Sequence, residues 1–383
     1  MQSGSHNLFT RCHNMQNKLY QDIDHLHLEP TTACDASCPQ CARNWWGSSH
    51  TPREMYQGEF DPAWVKRFKI FNFTKITING NYGDICAHSD PLKLLNSIKS
   101  EWPRVSLHIV TAGYGLTTEQ WKEIGYLGWI GKGCLPVQCD FGIDGVDKET
   151  HSKYRRGTDL DRVLENAHAF MESGGQATWV MTEFEHNKHQ VEEAKYLAQT
   201  MGFEGFVLRP SMRHVDYMPS PVVNDNADII DWIGPPRNSN PNFEKSIKGI
   251  QRNLKIAHAK NQFSNNRTDV KIQFATAVDC WAKKEKSIYV DANGLLYPCG
   301  WLGKPITWNN TCETLKTGVG FNNTQNSSAI NILQHEFWEK LNDTTTDNSL
   351  SVCQRNCGFN SKFTEQRKNS SVENFKDVVD IRV

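Results

Sequence analysis

Apolar residues follow two rhythms along the first two thirds of the chain. Short runs at Leu26-His27-Leu28-Glu29-Pro30, Phe73–Ile78, Val105–Val110, Val137–Ile143, Ala177–Met181 and Phe206–Arg209 have the length and composition of buried strands. Longer segments between them place apolar residues three and four apart. Leu160–Glu172 puts Val163, Leu164, Ala167 and Phe170 at helical spacing and stops at Ser173-Gly174-Gly175. Lys188–Met201 puts Val191, Ala194, Leu197 and Ala198 on one face, with Gly202 where a helix C-cap belongs. Strands alternating with amphipathic helices predict a parallel sheet with crossover helices.

The rhythm changes after residue 218. Pro219–Asn242 is rich in Pro, Asn and Asp and reads as a loop around a short helical piece. Phe243–Lys260 reads as a bridging helix, basic on one side. Ser287–Val290 and Leu295–Tyr297 flank Asp291-Ala292-Asn293-Gly294, a hairpin signature with Asn-Gly at the turn. Asp347–Ser351 reads as a loop, and the weakly periodic tail after Arg367 as a terminal helix or a partly ordered end.

Cysteine spacing adds chemistry to this plan. Cys34, Cys38 and Cys41 stand as C-x3-C-x2-C just after the first strand, the end at which βα-barrels keep their active sites. Three thiolates there can ligate three irons of a cubic [4Fe–4S] cluster and leave the fourth open to a substrate or cofactor. Zinc held by the same thiolates with His50 is a competing reading, as is chance clustering of structural cysteines. Cys280, Cys299, Cys353 and Cys357 form a second group, set by the hairpin and a later C-x3-C. These four can ligate one cubic cluster or one zinc ion, and spacing alone does not separate the two.

Composition narrows the setting. A chain of 383 residues makes one or two domains. A net charge of −1 with dispersed basic residues gives no electrostatic case for nucleic acid. No run of 18 apolar residues is present, so no membrane span is expected. Twelve cysteines behind a polar Met1–Ser5 start point to metal ligation in a reducing, cytoplasmic setting, not to disulfides.

The ordered motifs resemble the radical S-adenosylmethionine (SAM) superfamily, whose signature is this cysteine loop. Phe73–Asp84 resembles the family's second strand and its Gly-Gly-Glu turn, here stretched to Gly80-Asn81-Tyr82-Gly83-Asp84. Val105–Val110 with Thr111-Ala112-Gly113 resembles the third strand and its Thr-Asn-Gly ending. Val137–Ile143 with Asp144-Gly145, then His151, Tyr154, Arg155, Arg156 and Gly157, resembles the fourth strand and the helix entry after it. Two positions depart from the family: Gln40 replaces an aromatic residue, and Gly142 stands near where a serine often precedes Asp-Gly. The resemblance implies SAM contacts from Gly80, Asn81, Tyr82, Gly83, Asp84, Thr111, Asp144, Arg155 and Arg156, with Asp84 on the ammonium group. It leaves the catalytic acid and base unassigned.

The second cysteine group resembles the twitch form of the SPASM auxiliary-cluster domain, with Gly300 where relatives often carry another cysteine. One auxiliary [4Fe–4S] cluster is implied, favouring iron–sulfur over zinc. The remaining cysteines, Cys12, Cys86, Cys134, Cys139 and Cys312, read as small buried or surface residues, with Cys86 a lesser candidate for touching substrate.

The implied fold is α/β: a partial (βα)6 TIM-type barrel followed by a small auxiliary-cluster domain containing the β-hairpin. Expected boundaries are an N-terminal extension at 1–22, the barrel at 23–218, a linker and bridging helix at 219–275, the auxiliary domain at 276–362 and a tail at 363–383. The implied function is reductive cleavage of SAM to a 5′-deoxyadenosyl radical that abstracts hydrogen from a substrate C–H bond. The auxiliary cluster would accept an electron, as suits oxidative modification of a peptide, protein or small molecule, and a flavodoxin or ferredoxin would supply the reducing electron. The 33 residues ahead of Cys34 are too few for a separate leader-peptide recognition domain. A redox-neutral isomerase or epimerase and a non-catalytic metal-binding protein are the alternatives.

Overall fold

The computed structural model describes residues 22–375 apart from 53–54, 130–132, 215–216, 238, 264–277, 304–321, 336–337, 339–350 and 359–360. Cys12 and Cys312, residues 1–21 of the N-terminal extension, most of the loop at 347–351 and the tail beyond 375 lie outside the described residues.

Six strands occur where the apolar runs predict them. They are β1 (His25–Leu28), β2 (Lys75–Ile78), β3 (Ser106–Thr111), β4 (Gln138–Gly142), β5 (Gln176–Glu183) and β6 (Gly205–Pro210). Each pairs in parallel with the next in chain order. That sequential parallel order is the winding of a βα-barrel. Here β1 and β6 do not pair with each other. Each is covered by a later strand, which satisfies backbone groups that an open edge would expose.

The crossovers carry α1 (Pro91–Glu101), α2 (Thr118–Tyr126), α3 (Lys148–Tyr154), α4 (Leu160–Glu172) and α5 (Val191–Thr200). Between β1 and β2 the described connection has a single 3-10 segment, Pro62–Phe68, capped by Asp61. A capping box of Thr117 and Gln120 starts α2, and Asp159 caps α4 by accepting from the Arg162 amide. Val163, Ala167 and Phe170 of α4 are buried as their spacing predicts. Trp121 packs its ring 5.0 Å from Phe141 of β4 and 5.9 Å from Phe170, locking α2 and α4 to the sheet.

Pro219–Asn242 departs from the expected loop with a helical piece. It contains an antiparallel pair, β7 (Ser220–Val223) and β8 (Ile229–Ile233). Val222, Val223, Ile229 and Ile233 supply β-branched residues, and Asn224 closes the turn by accepting from the Asn226 and Asp228 amides at 3.0 and 2.9 Å. Asn- and Pro-rich composition hides this strand signal. The bridging helix α6 (Phe243–Ala259) follows as expected.

The C-terminal part joins the same sheet. After α7 (Trp281–Lys284), β9 (Ser287–Val290) pairs in parallel with β1, and β10 (Leu296–Tyr297) pairs antiparallel with β9. Gly294 turns the predicted hairpin at φ +75°, a conformation that suits glycine. Then come α8 (Ala329–Leu333), α9 (Ser351–Cys357) and α10 (Lys362–Asn369). The tail adds β11 (Ser371–Asn374), antiparallel to β6. The result is one nine-stranded mixed sheet with flanking helices, in which the small hairpin continues from the β1 edge.

Asp291 at the hairpin turn is buried and accepts from the Asn293 and Leu295 amides, both at 2.9 Å. Burial raises its pKa from 3.8 to about 7. The folded chain therefore holds this proton more tightly than the unfolded chain. The resulting stability is complete below the unfolded pKa and is lost as pH rises through the folded one. Asp291→Asn keeps the accepting oxygen and removes the charge. Thermal melts should show it stabilising more at pH 8 than at pH 5, by a difference on the order of 2 kcal/mol. An equal effect at both pH values would contradict this reading.

Candidate metal and cofactor site at the strand ends

The cysteine loop leaves the C-terminal end of β1 and is fastened on both sides. The Asp84 amide donates to the Ala33 carbonyl at 2.9 Å, and the Ser37 amide donates to the Arg156 carbonyl at 2.7 Å. Gly83 packs so closely that a Cβ there would lie 1.8 Å from the Thr31 carbonyl oxygen. Only glycine fits, which ties the 80–84 turn to the start of the loop.

Cys38 is buried, and Cys34 and Cys41 are half-buried against the same apolar cluster of Ala36, Ala112, Tyr154, Phe184, Val222 and Ile233. The β7–β8 pair that composition disguises thus supplies one wall. Burial, then the charges of Asp84, Cys38 and Cys41, lifts the Cys34 thiol well above its ordinary pKa. Burial pushes Cys38 up to about 12, with Arg155, Cys41 and Asp144 among its neighbours. All three are free thiols.

Among the described residues, no three Cys, His, Asp or Glu side chains close around a single metal ion. An iron–sulfur cluster takes one thiolate per iron. Two thiols raised by burial and by neighbouring cysteines suit a multiply charged cationic centre, which stabilises the deprotonated forms. The donor set fits an iron–sulfur cluster. The His50 ring is engaged elsewhere, stacked 4.1 Å from Phe263 with Nε2 on the Asp225 carbonyl at 3.1 Å.

Asp84 braces two strand ends. Its carboxylate accepts from the Thr111 hydroxyl at 2.7 Å, the Ala112 amide at 2.7 Å and the Cys86 amide at 2.9 Å. Thr111 in turn accepts from the Gly113 amide at 2.9 Å. Cys86 is buried with Sγ 3.3 Å from the Thr111 hydroxyl. Cys139 is buried in the sheet, and Cys134 is half-buried.

Asp144, fully buried, accepts from Arg155 Nε at 2.6 Å and from the Thr182 amide at 2.5 Å. Burial opposes the Arg155 charge, yet Asp144, Cys38 and Tyr154 hold its pKa above the ordinary arginine value. Gly142 makes room for this pair, since a Cβ there would lie 2.5 Å from Arg155 Nη2. The departure from serine at this position therefore admits a guanidinium beside Cys38.

The remaining SAM-contact expectations divide. Gly80 is packed against Glu29, where a Cβ would meet Oε1 at 2.9 Å, and the Tyr82 amide donates to the same carboxylate at 2.8 Å. The Asn81 side chain donates to the Tyr289 hydroxyl and the Gly300 carbonyl, both at 2.9 Å. Arg156 lines a separate cavity of about 320 Å³ with Ser37, Ser48, Ser49 and Asp225.

The sequence reading singles out Gln40 only as a departure from the family and passes over Glu29. Glu29 is fully buried and also accepts from the Tyr56 hydroxyl at 2.8 Å, and burial raises its pKa. Its signal is a charged residue ending an apolar strand. Gln40 stands in a buried polar knot, donating to Ser220 Oγ at 3.0 Å and accepting from Ser211 Oγ at 2.9 Å. That explains why no aromatic ring occupies the position.

In the second cysteine group, Cys280, Cys299 and Cys357 lie near one another. The Asp279 amide donates to the Cys357 carbonyl at 2.8 Å, bringing Cys280 beside the end of α9. Cys353 and Cys357 lie one helical turn apart on α9. Burial, with Cys280 and Cys357 nearby, pushes Cys299 up to about 12, and burial with Cys280 pushes Cys357 to about 11. Cys299 and Cys353 pack against the main core.

No family model and no curated protein matches the chain. Among solved structures it is similar to anSMEcpe with bound AdoMet, at TM-score 0.50 and 12% identity over 90% of this chain and 95% of that one. It also matches Streptococcus suis SuiB bound to S-adenosylmethionine, at TM-score 0.44 and 14% identity over 79% of this chain. That match spans 66% of the SuiB chain, just under two thirds. BtrN in complex with AdoMet and 2-DOIA matches at TM-score 0.39 and 12% identity, over 90% and 96% of the two chains. The likeness to anSMEcpe is one of fold, and it agrees with the parallel sheet and added C-terminal hairpin. No helix among the described residues is long and apolar enough to cross a membrane.

Asp84→Ala should strand the buried Ala112 and Cys86 amides and the Thr111 hydroxyl. Losing these partners should cost about 3 kcal/mol or more of unfolding free energy in urea titrations. A change below about 1 kcal/mol would show that Asp84 does not brace the strand ends.

Proposed function

We propose that the protein is a radical SAM enzyme with one auxiliary iron–sulfur cluster. The observation that carries this reading is the company kept by the first three thiols. Cys34 lies near Asp84 at the end of β2, and Cys38 lies near the Asp144–Arg155 pair after β4. A cysteine loop between an anionic and a zwitterionic anchor suits a ligand bearing both an ammonium and a carboxylate group.

In this reading Cys34, Cys38 and Cys41 hold a [4Fe–4S] cluster, and Cys280, Cys299, Cys353 and Cys357 hold the second. When bound, the first cluster with SAM supplies reductive cleavage to methionine and a 5′-deoxyadenosyl radical that takes hydrogen from a substrate C–H bond. Asp84, which gathers the Thr111 hydroxyl and the Ala112 and Cys86 amides, is the candidate partner of the SAM ammonium. Arg155, held in place by Asp144, presents its planar fork to a carboxylate or ribose. Ala112, Tyr154, Phe184 and the β7–β8 wall exclude water from the thiols.

The second cysteine group offers four thiolates and no open ligand position, which suits an electron acceptor in an oxidative modification of a peptide, protein or small molecule. A flavodoxin- or ferredoxin-type donor would reduce the first cluster in a cytoplasmic setting. The domain boundaries given above assign 23–218 to the SAM-binding unit and 276–362 to the auxiliary ligands.

After anaerobic reconstitution the chain should carry about eight irons. Changing Cys34, Cys38 and Cys41 to Ala should remove about half of them and abolish 5′-deoxyadenosine formation from SAM under reductant. Changing Cys353 and Cys357 to Ala should remove the other half and leave some SAM cleavage, with circular dichroism confirming the fold. A triple variant that still forms 5′-deoxyadenosine would overturn the assignment.

A further inference from the structure

A run of hydrogen bonds, buried or half-buried, leads from Glu29, ahead of the first cysteine group, to Gly300, next to Cys299 of the second. Glu29 lies five residues before Cys34 and receives the Tyr289 hydroxyl, while that hydroxyl accepts from Asn81 Nδ2 at 2.9 Å. The other Asn81 amide hydrogen goes to the carbonyl of Gly300, the residue after Cys299, also at 2.9 Å. The donors and acceptors leave one consistent direction. A flipped Asn81 would set its oxygen against the Gly300 carbonyl, so its nitrogen must face Gly300 and Tyr289. Tyr289 then has its proton free for Glu29. Such a chain polarises along its length in a dry interior.

Packing holds the Tyr289 ring as firmly as the hydroxyl. The ring meets His27 edge-on at 5.0 Å, and a Cβ on Gly303 would come within 2.3 Å of it. The amides of Leu302 and Gly303 both donate to the Cys299 carbonyl at 3.1 Å, so the turn that presents Cys299 rests on this ring. On the other side, Glu29 also holds the Tyr82 amide, within the turn expected to meet SAM.

We infer that Tyr289 is a positioning residue that couples the two sites, through Glu29 and Asn81, so that SAM binding and occupancy of the auxiliary site each alter the other. The inference rests on the proposed function for the identity of the two ligands. The coupling must be reciprocal: whatever the auxiliary cluster does to SAM affinity, SAM does to the affinity of that site. Asn81 then serves the auxiliary turn instead of touching SAM itself.

A double-mutant cycle on SAM affinity tests this without turnover. Equilibrium dialysis of the reconstituted protein would compare the parent, the Cys353→Ala/Cys357→Ala variant, Tyr289→Phe and their combination. Losing the auxiliary ligands should weaken SAM binding by about fivefold or more with Tyr289 present, and by less than about twofold in the Tyr289→Phe background. Equal effects in both backgrounds would overturn the coupling.

A second measurement needs no metal. In iron-free protein, Tyr289→Phe should make Cys299 react about tenfold faster with iodoacetamide, while Cys139 in the sheet stays unchanged. An unchanged Cys299 rate would overturn the positioning role. Should Tyr289→Phe fail to fold, Asn81→Ala cuts the same chain and leaves the ring packing in place. A parent protein that binds neither iron nor SAM would refute the proposed function, and the alkylation rates would still decide the junction.

Discussion

The close approach of Gly83 to the Thr31 carbonyl sets the geometry on which the candidate site depends. With no side chain between them, the turn after β2 lies directly on the strand end that launches the cysteine loop. The Asp84 amide can then reach Ala33, and the Asp84 carboxylate can reach across to Thr111 and Ala112 at the end of β3. Glu29 holds the same turn from the other side, through the Tyr82 amide. Three neighbouring parallel strands thus end in one hydrogen-bonded rim, and the thiols hang from it.

That rim continues along the sheet in both directions. On one side β9 covers β1, bringing Tyr289 onto Glu29. Further along, the buried Asp144–Arg155 pair fixes a cation beside Cys38, in space that Gly142 leaves open. Burial lifts the Cys34 and Cys38 thiols above their ordinary pKa, and a bound cationic centre would stabilise their deprotonated forms.

Much of this was legible from local pattern. The six parallel strands, helix α4 and the Asn-Gly hairpin follow from apolar spacing and turn chemistry, because each depends on residues close in sequence. The C-x3-C-x2-C and C-x3-C spacings can be read from sequence because each lies within a few residues. The β7–β8 pair was missed because Asn and Pro on its turn and flanks outweigh five β-branched residues. Partners far apart in sequence were also missed. Asn81 meets Tyr289 across 208 positions, and no periodicity encodes that contact. Glu29 was overlooked as a site residue because its three hydroxyl and amide donors come from separate segments. The tail strand β11 is exposed along its length, and backbone pairing with β6 holds it without an apolar signal.

The central claim is that the loop of Cys34, Cys38 and Cys41 holds a cluster with one iron open to SAM. Electron paramagnetic resonance of the reduced Cys353→Ala/Cys357→Ala protein isolates that cluster from the auxiliary one. The account predicts a [4Fe–4S] signal whose g-values shift when SAM is added, because the amino acid end of SAM becomes a ligand. A cluster signal identical with and without SAM, or no cluster signal in the folded protein, would contradict it.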